Sequence, residues 1–459
     1  MRTPPLSILA FLALAAPAIL VAGPITIDFE GLPDSTILTN QYPGVTFSNA
    51  VILTAGISLD EFEFPPHSGT NVASDNGGPM SITFSTPVQS FGGYFTYAEL
   101  LTVDAFGIGN TLLASVTSPF ANNEALSGVS GSSPNEFLQV SSASGVSRVT
   151  ITGDLAGGSF ALDDATYSTA VSTVPEPSSL SLCILFAGLM ALYSLGRQKR
   201  RGTAVNPETA PRATLGCRTT VWALMRRTQE FKFAVFAFGV AFLSTPMLGQ
   251  QHTIGGTGVS PRIAVVGQPS IVTVSASISD PAVIVGGVNL LRLDSLGNAT
   301  VLGTLHDDGQ NGDAVAGDGV FTYQAPLNES AVGQIHFQVS AAFRGSILRV
   351  RADVPPVFVQ VTNASTVAVT GLASELASGN ISSALGSFLD SDKASAILNN
   401  LNAAGQQRLA NAFAAAQLVS SSGDLRVYHL PWTAPNGNVL TLEVALEPNS
   451  NGDWVIVSW

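Results

Sequence analysis

The chain reads as a mainly β protein, built from two β-sandwiches and a small α+β C-terminal domain, and three observations carry that expectation. Charged residues make up only 11% of the 459 residues, against about a quarter in ordinary globular chains, while apolar residues reach 46%. Gly 44 and Pro 26 supply the punctuation that short strands need. Apolar and polar residues alternate with period two over most of the chain, and a helical period is visible only near the C-terminus. Other features exclude function classes. A net charge of −13 removes the basic face expected of a nucleic-acid binder. Two cysteines, Cys183 and Cys217, cannot build a disulfide framework.

Arg2 followed by the apolar run Leu6–Val21 and by small Ala22 and Gly23 reads as a secretory signal over residues 1–23, with an uncleaved anchor helix as the alternative. From Ile25 the pattern turns to strands: 25–30, 45–47, 81–84, 93–97, 101–105, 146–151 and 160–162, separated by Gly, Pro, Asn or Ser clusters. Residues 24–168 are therefore expected to form a β-sandwich. Phe91, Tyr94, Phe95, Tyr97 and Phe106 lie near its centre. Alternation places Tyr94 and Phe95 on opposite faces, so one set lines the core and an exposed set would suit stacking on sugars.

Charge is distributed in blocks. Residues 24–174 hold one base, Arg148, against 14 acids; residues 251–459 hold 8 bases and 15 acids; nine bases fall between Arg197 and Lys232. After a Ser/Thr/Pro linker from Thr169, residues 180–195 form an uncharged apolar span that stops at Arg197-Gln-Lys-Arg-Arg201. At about 1.5 Å per residue such a span is slightly short of a hydrocarbon core, which a snorkelling basic end can make up. Val174-Pro175-Glu176-Pro177-Ser178-Ser179, then one hydrophobic span, then a basic cluster, resembles the PEP-CTERM sorting signal of exosortase-processed bacterial exoproteins, over residues 169–201. The resemblance implies recognition at Pro175, Glu176 and Pro177 by an exosortase-type sorting enzyme, membrane insertion, and release or re-anchoring of the upstream module at the cell surface or in the extracellular matrix.

That signal normally ends a polypeptide, yet the chain continues to Trp459. After a basic loop at 202–230, residues 231–249 form a second signal or transmembrane segment, led by Met225-Arg226-Arg227 and ending near Leu248-Gly249. The whole reads as two secreted proteins joined end to end, the product of two fused neighbouring reading frames. Lys and Arg stay on the cytoplasmic side, so the two spans would form a transmembrane helical hairpin with both acidic modules outside.

In the second half, strands are expected at 271–278, 283–293, 300–305, 334–343 and 347–354, giving a sandwich over residues 250–363. Its segment His306-Asp307-Asp308-Gly309-Gln310-Asn311-Gly312-Asp313 to Gly317-Asp318-Gly319 resembles the acidic loop joining two strands in bacterial immunoglobulin-like surface domains. Helical spacing of Leu385, Leu389, Ile397, Leu401, Leu409 and Phe413, then strands near 424–430, 438–446 and 454–459, resembles a cystatin-like cone over 364–459, a fold that often holds a pocket. Its polar candidates are Asp424, His429 and Glu443.

The chemistry points to calcium before catalysis. Glu30 and Asp163 sit on the first and last strands of the first sandwich, which resembles jelly-roll carbohydrate-binding modules, and two carboxylates at one sheet end suit a structural Ca²⁺. Solvated strand-end carboxylates are the alternative. Asp307, Asn311, Asp313 and Asp318 make a second candidate, as a calcium loop or a hydrogen-bonded Asx turn. The five histidines, 67, 252, 306, 336 and 429, show no metal-ligand spacing, and no zinc, phosphate-loop or nucleophile-elbow motif is present. The expectation is a non-enzymatic, exported, membrane-anchored or released surface protein whose modules bind or adhere, with extracellular polysaccharide as a partner. The alternative is a secreted glycan-active hydrolase using acid pairs such as Asp60 and Glu61 or Asp163 and Asp164. Neighbouring acids on a strand point to opposite faces, which counts against such pairs.

Overall fold

Alternation in the first module buries Phe91, Phe95 and Tyr97 at 1% exposure or less and turns Tyr94 outward. This and all that follows come from a computed structural model describing residues 23–169 and 252–459, which belong to one unit. The signal sequence, the spans expected at 180–195 and 231–249, the basic loop, both cysteines and Pro175, Glu176 and Pro177 lie outside the described residues. Among the described residues no helix is long and apolar enough to cross a membrane. The described residues are mainly β, with 48% in strands and 12% in helices.

Nine strands build the first sandwich: β1 (Ile25–Ile27), β2 (Val45–Ser48), β3 (Ala50–Thr54), β4 (Asn71–Asn76), β5 (Met80–Tyr97), β6 (Thr102–Phe106), β7 (Leu112–Thr117), β8 (Glu136–Thr152) and β9 (Gly157–Thr169). β5 and β8, at 18 and 17 residues, far exceed the usual five or six. Met80–Thr83 of β5 pair with Arg148–Ile151 of β8, and Ser90–Phe95 pair with Glu136–Ser141. Between them the register shifts on both sides of Val88, next to Pro87, which has no N–H to give the ladder. On its other side β5 pairs first with β2, then with β9. One long strand thereby joins two layers, β2-β5-β8-β6-β7 and β8-β5-β9-β4-β3, with β1 on β9. Phe84 of the first layer packs on Phe91 and Tyr167 of the second, with ring centroids 6.2 and 5.2 Å apart.

β4 shows no apolar alternation, yet five of its six residues are buried. What holds it is Asp75, whose carboxylate accepts from the Ser159 N–H (2.9 Å), the Ser159 hydroxyl (2.9 Å) and the Phe160 N–H (3.1 Å). Burial pushes the Asp75 carboxyl above its ordinary range.

In the second half, β10 (Thr257–Ser260), β12 (Ser270–Ser277) and β15 (Val320–Leu327) form one sheet. The other contains β11 (Ile263–Val265), β18 (Val357–Gln360), β16 (Gly333–Phe343), β13 (Val283–Leu293) and β14 (Ala299–Thr304), with β17 (Val350–Asp353) on β16. Val272, Val274 and Phe321 of the first sheet share a core with Leu290, Phe337 and Val339 of the second, which makes this a second sandwich.

Helices α1 (Ala364–Ala377), α2 (Ile381–Ala384), α3 (Ser391–Leu398) and α4 (Ala403–Ala414) follow. Asn380, Asp390 and Asn402 cap the last three through backbone N–H groups at 3.3, 2.9 and 2.8 Å. They precede an antiparallel sheet of β19 (Gln417–Ser422), β20 (Leu425–Thr433), β21 (Val439–Pro448) and β22 (Trp454–Ser458). Leu372, Leu376, Leu409 and Phe413 pack on Tyr428 and Leu430. Leu389 and Ile397, read as part of the same apolar face, are 67% and 40% exposed. The helical run breaks at Phe388, which is extended and bridges Ile456, so Leu389 leaves the helical phase.

Candidate functional site

Tyr94 on β5 is flanked in register by Phe137 on β8 and by Asp163 on β9. All three strands belong to one layer, so Tyr94 and Phe137 share its outer face. Their ring centroids lie 5.1 Å apart, and the His67 ring stacks on Tyr94 at 3.4 Å and 8°. Phe137 is 46% exposed. Its ring tip lies over Gly92, where a Cβ would stand 2.9 Å away, so the bare backbone there lets the ring lie down on the sheet. Three rings thus form a ledge with Phe137 and His67 at its open ends.

The acids beneath are arranged by a local break in the strand. The β5–β9 register shifts between Gly92 and Tyr94, and opposite this point Asp164 takes a left-handed φ of +46°. That bulge overrides the expectation that neighbouring acids face opposite ways, because Asp163 and Asp164 both reach the segment His67–Ser68. Asp164 Oδ2 lies 2.6 Å from His67 Nδ1, and its Oδ1 accepts from the Ser68 hydroxyl at 3.1 Å. Asp163 accepts from the Ser68 N–H (2.8 Å) and the Asp164 N–H (2.7 Å). Burial pushes the Asp163 carboxyl up to about 6 despite these donors. Asp163 is fully covered, and each of its oxygens holds a backbone amide.

Glu30 does similar work one step along the same segment. Its Oε1 accepts from the Thr70 and Asn71 N–H groups at 2.8 and 2.7 Å. Glu30 and Asp163 therefore pin the two ends of Ser68–Asn71, and together they position His67. Among the described residues they do not join a group of three metal-ligating side chains. Alternation placed Tyr94 and Phe95 on opposite faces without saying which face is exposed. Neither Phe137 nor His67 stood out as part of a site, although the Phe137–Tyr94 pairing would have followed had the β5–β8 register been known.

In the second sandwich, Asp307, Asp313 and Asp318 bring one carboxylate oxygen each within 4.8 Å of one another. This spacing fits a cation such as Ca²⁺, which takes six to eight oxygens at about 2.3–2.6 Å. The same groups also close the loop. Asp307 accepts from the N–H groups of Gly317, Asp318 and Gly319 at 2.6, 3.2 and 2.9 Å, and Asp313 from Gly309 and Val315 at 2.5 and 3.3 Å. Asn311, with φ +51°, lines a groove with His306, Gln310 and Thr322.

Two other candidates have structural partners. Asp424 accepts from the Arg262 N–H at 2.7 Å and the Ile263 N–H at 3.0 Å, tying the β19–β20 turn to the start of β11. His429 pairs with Glu443 at 3.4 Å on an exposed sheet face, with the two side chains 45% and 69% exposed.

No family model and no curated protein matches the chain. Among solved structures it is similar to the K1 cleaved adhesin domain of Lys-gingipain from Porphyromonas gingivalis W83, with 11% identity over 32% of this chain and 99% of that one, at a TM-score of 0.22. It is also similar to the CBM22-1-GH10 modules of a Clostridium thermocellum endo-1,4-β-D-xylanase complexed with xylohexaose, with 11% identity, 31% of this chain and 29% of that one covered, and a TM-score of 0.18. At such TM-scores neither likeness carries an argument about function.

Proposed function

We propose that this is an exported protein of the cell surface or extracellular matrix, delivered by the PEP-CTERM-like segment and held by or released from the membrane, whose modules bind without catalysis. In this reading the first module is a jelly-roll-like sandwich that contacts polysaccharide, the second is immunoglobulin-like, and the last is a cystatin-like cone. The observation that carries it is the half-exposed ledge of His67, Tyr94 and Phe137, braced by Asp164. Ring ledges of this kind bind sugar C–H faces, and a neighbouring carboxylate can accept from hydroxyls. The hydrolase alternative would need Asp163 to exchange protons with a substrate, and its burial and two amide donors favour a positioning role.

Glycan arrays probed with the intact chain test the reading. Phe137→Ala is expected to weaken binding about ten-fold or more while changing the unfolding free energy by no more than about 0.5 kcal/mol, as for an exposed side chain. Unchanged binding would remove the ledge from the account, and turnover of any glycan in a parallel hydrolase panel would replace binding with catalysis.

Ca²⁺ belongs to the same proposal, with Asp307, Asp313 and Asp318 as its ligands and stiffening of the 306–320 loop as its effect. Millimolar Ca²⁺ is expected to raise the unfolding temperature by several degrees, reversibly with chelator, and Asp318→Asn to abolish the rise. A temperature indifferent to Ca²⁺ and chelator returns the loop to a turn closed by its own amides.

A further inference from the structure

The loop joining β3 to β4 carries Asp60, Glu61 and Glu63, and it meets the arginine-bearing edge of the second sandwich. Leu59 and Leu348 bridge in antiparallel fashion, with the Asp60 N–H donating to the Ile347 carbonyl at 2.9 Å and the Arg349 N–H to the Ser58 carbonyl at 3.0 Å. The Arg349 side chain is fully covered. Its Nε donates to the Leu59 carbonyl at 3.0 Å, its Nη1 to the Gly287 carbonyl at 2.6 Å and its Nη2 to Glu61 Oε1 at 3.0 Å. Around this centre the Gly345 N–H donates to Glu63 (2.7 Å), the Ser340 hydroxyl to the Ile57 carbonyl (2.8 Å) and the Asn289 amide to the Gly56 carbonyl (3.1 Å). Gly56 has φ +77°, and a Cβ there would press on Asn289 at 3.0 Å, so the close approach needs glycine. Ile347 completes an apolar cluster with Leu53, Leu59, Phe64, Val72 and Ala161 of the first sandwich.

A buried guanidinium is tolerated only where a carboxylate and carbonyls replace its water. Here half of that set comes from each sandwich. A buried arginine paired with a carboxylate and hydrogen-bonded to carbonyls of both partners, beside an apolar cluster, is the anatomy of a specific protein interface. None of these groups belongs to the polypeptide linking the halves, which contributes only local concentration.

We infer that the two sandwiches are each other's binding partners, and that residues 23–169 and 252–459 stay paired through the Glu61–Arg349 joint when the polypeptide between them is cut. The acidic first module thereby retains the second half of the chain, whether the two arise by processing or as separate products.

The full chain, purified in detergent with a protease recognition sequence inserted between Asn206 and Pro207, tests this. After cleavage the wild-type halves are expected to co-elute in size exclusion at micromolar concentration. Glu61→Arg is expected to weaken pairing about 100-fold or more, so that the cleaved halves separate. Glu61→Gln, a gentler change, is expected to speed dissociation about ten-fold, and Glu99→Arg to leave pairing unchanged. Circular dichroism before and after cleavage verifies that each variant keeps its β signal. Wild-type halves that separate while folded would overturn the inference, and so would co-elution that survives Glu61→Arg.

Discussion

Asp60→Asn is expected to stabilise the chain by about 2–4 kcal/mol at pH 8 and by little below pH 4. Asp60 is fully buried, with Oδ1 accepting from the Phe62 N–H at 3.0 Å and Oδ2 without a partner. Burial pushes its carboxyl up to about 7; the Phe62 N–H and Arg349 offset this only in part, and Glu63 and Glu61 add to it. The folded protein therefore holds the Asp60 proton more tightly than the unfolded chain does. Stability from this group is complete below the ordinary carboxylate value and drains away as pH rises towards 7, the reverse of a salt-bridged aspartate. Asparagine keeps the shape and the acceptor and never ionises. Urea unfolding of both proteins from pH 4 to pH 8 measures the effect as a widening gap between their curves. A gap that stays constant across that range would mean that Asp60 is ionised at little cost.

Asp75→Ala is expected to cost about 3–5 kcal/mol, because it strands the buried N–H groups of Ser159 and Phe160 and the Ser159 hydroxyl. Asp75→Asn retains one acceptor and is expected to cost less than half as much. Urea midpoints rank the variants, and faster amide exchange at Ser159 and Phe160 locates the damage. Equal costs for alanine and asparagine would mean that packing, not the lost acceptors, sets the penalty. The contrast with Phe137 matters: one residue serves the joint between β4 and β9, the other the face above it.

The two sandwiches were legible because alternation is a backbone property that survives without knowledge of neighbours, as in Val45-Thr46-Phe47 or Val272 and Val274. β4 was not, because Asn71 and Asp75 are buried by hydrogen bonds to distant residues, and no local pattern records a partner 84 positions away. Tyr94 could be placed on the opposite face from Phe95 by counting. The ledge itself could not, since it needs the β5–β8 register and the fold of the 67–71 loop. Asp163 and Asp164 were weighed as an acid pair and expected on opposite faces, a geometry the structure corrects, because a bulge is invisible to a rule that counts by two. Asp60 and Glu61 looked like acid–base candidates. In the fold one is buried with an unpartnered oxygen and the other clamps an arginine, because their loop meets the edge of the second sandwich.

The place of β9 has a mechanical consequence. Its last residues pair with Val88–Phe91 of β5, while Asp163 pairs with Tyr94. Tension applied between a surface gripped at the Tyr94 ledge and a tether leaving at Thr169 would run lengthwise along β9. It would load the rungs between β9 and β5 together, in shear, so several must rupture at once before the module yields. The same force applied between Ile25 and Tyr167, which face each other where β1 begins and the antiparallel β9 nears its end, would open the pair one rung at a time like a zip.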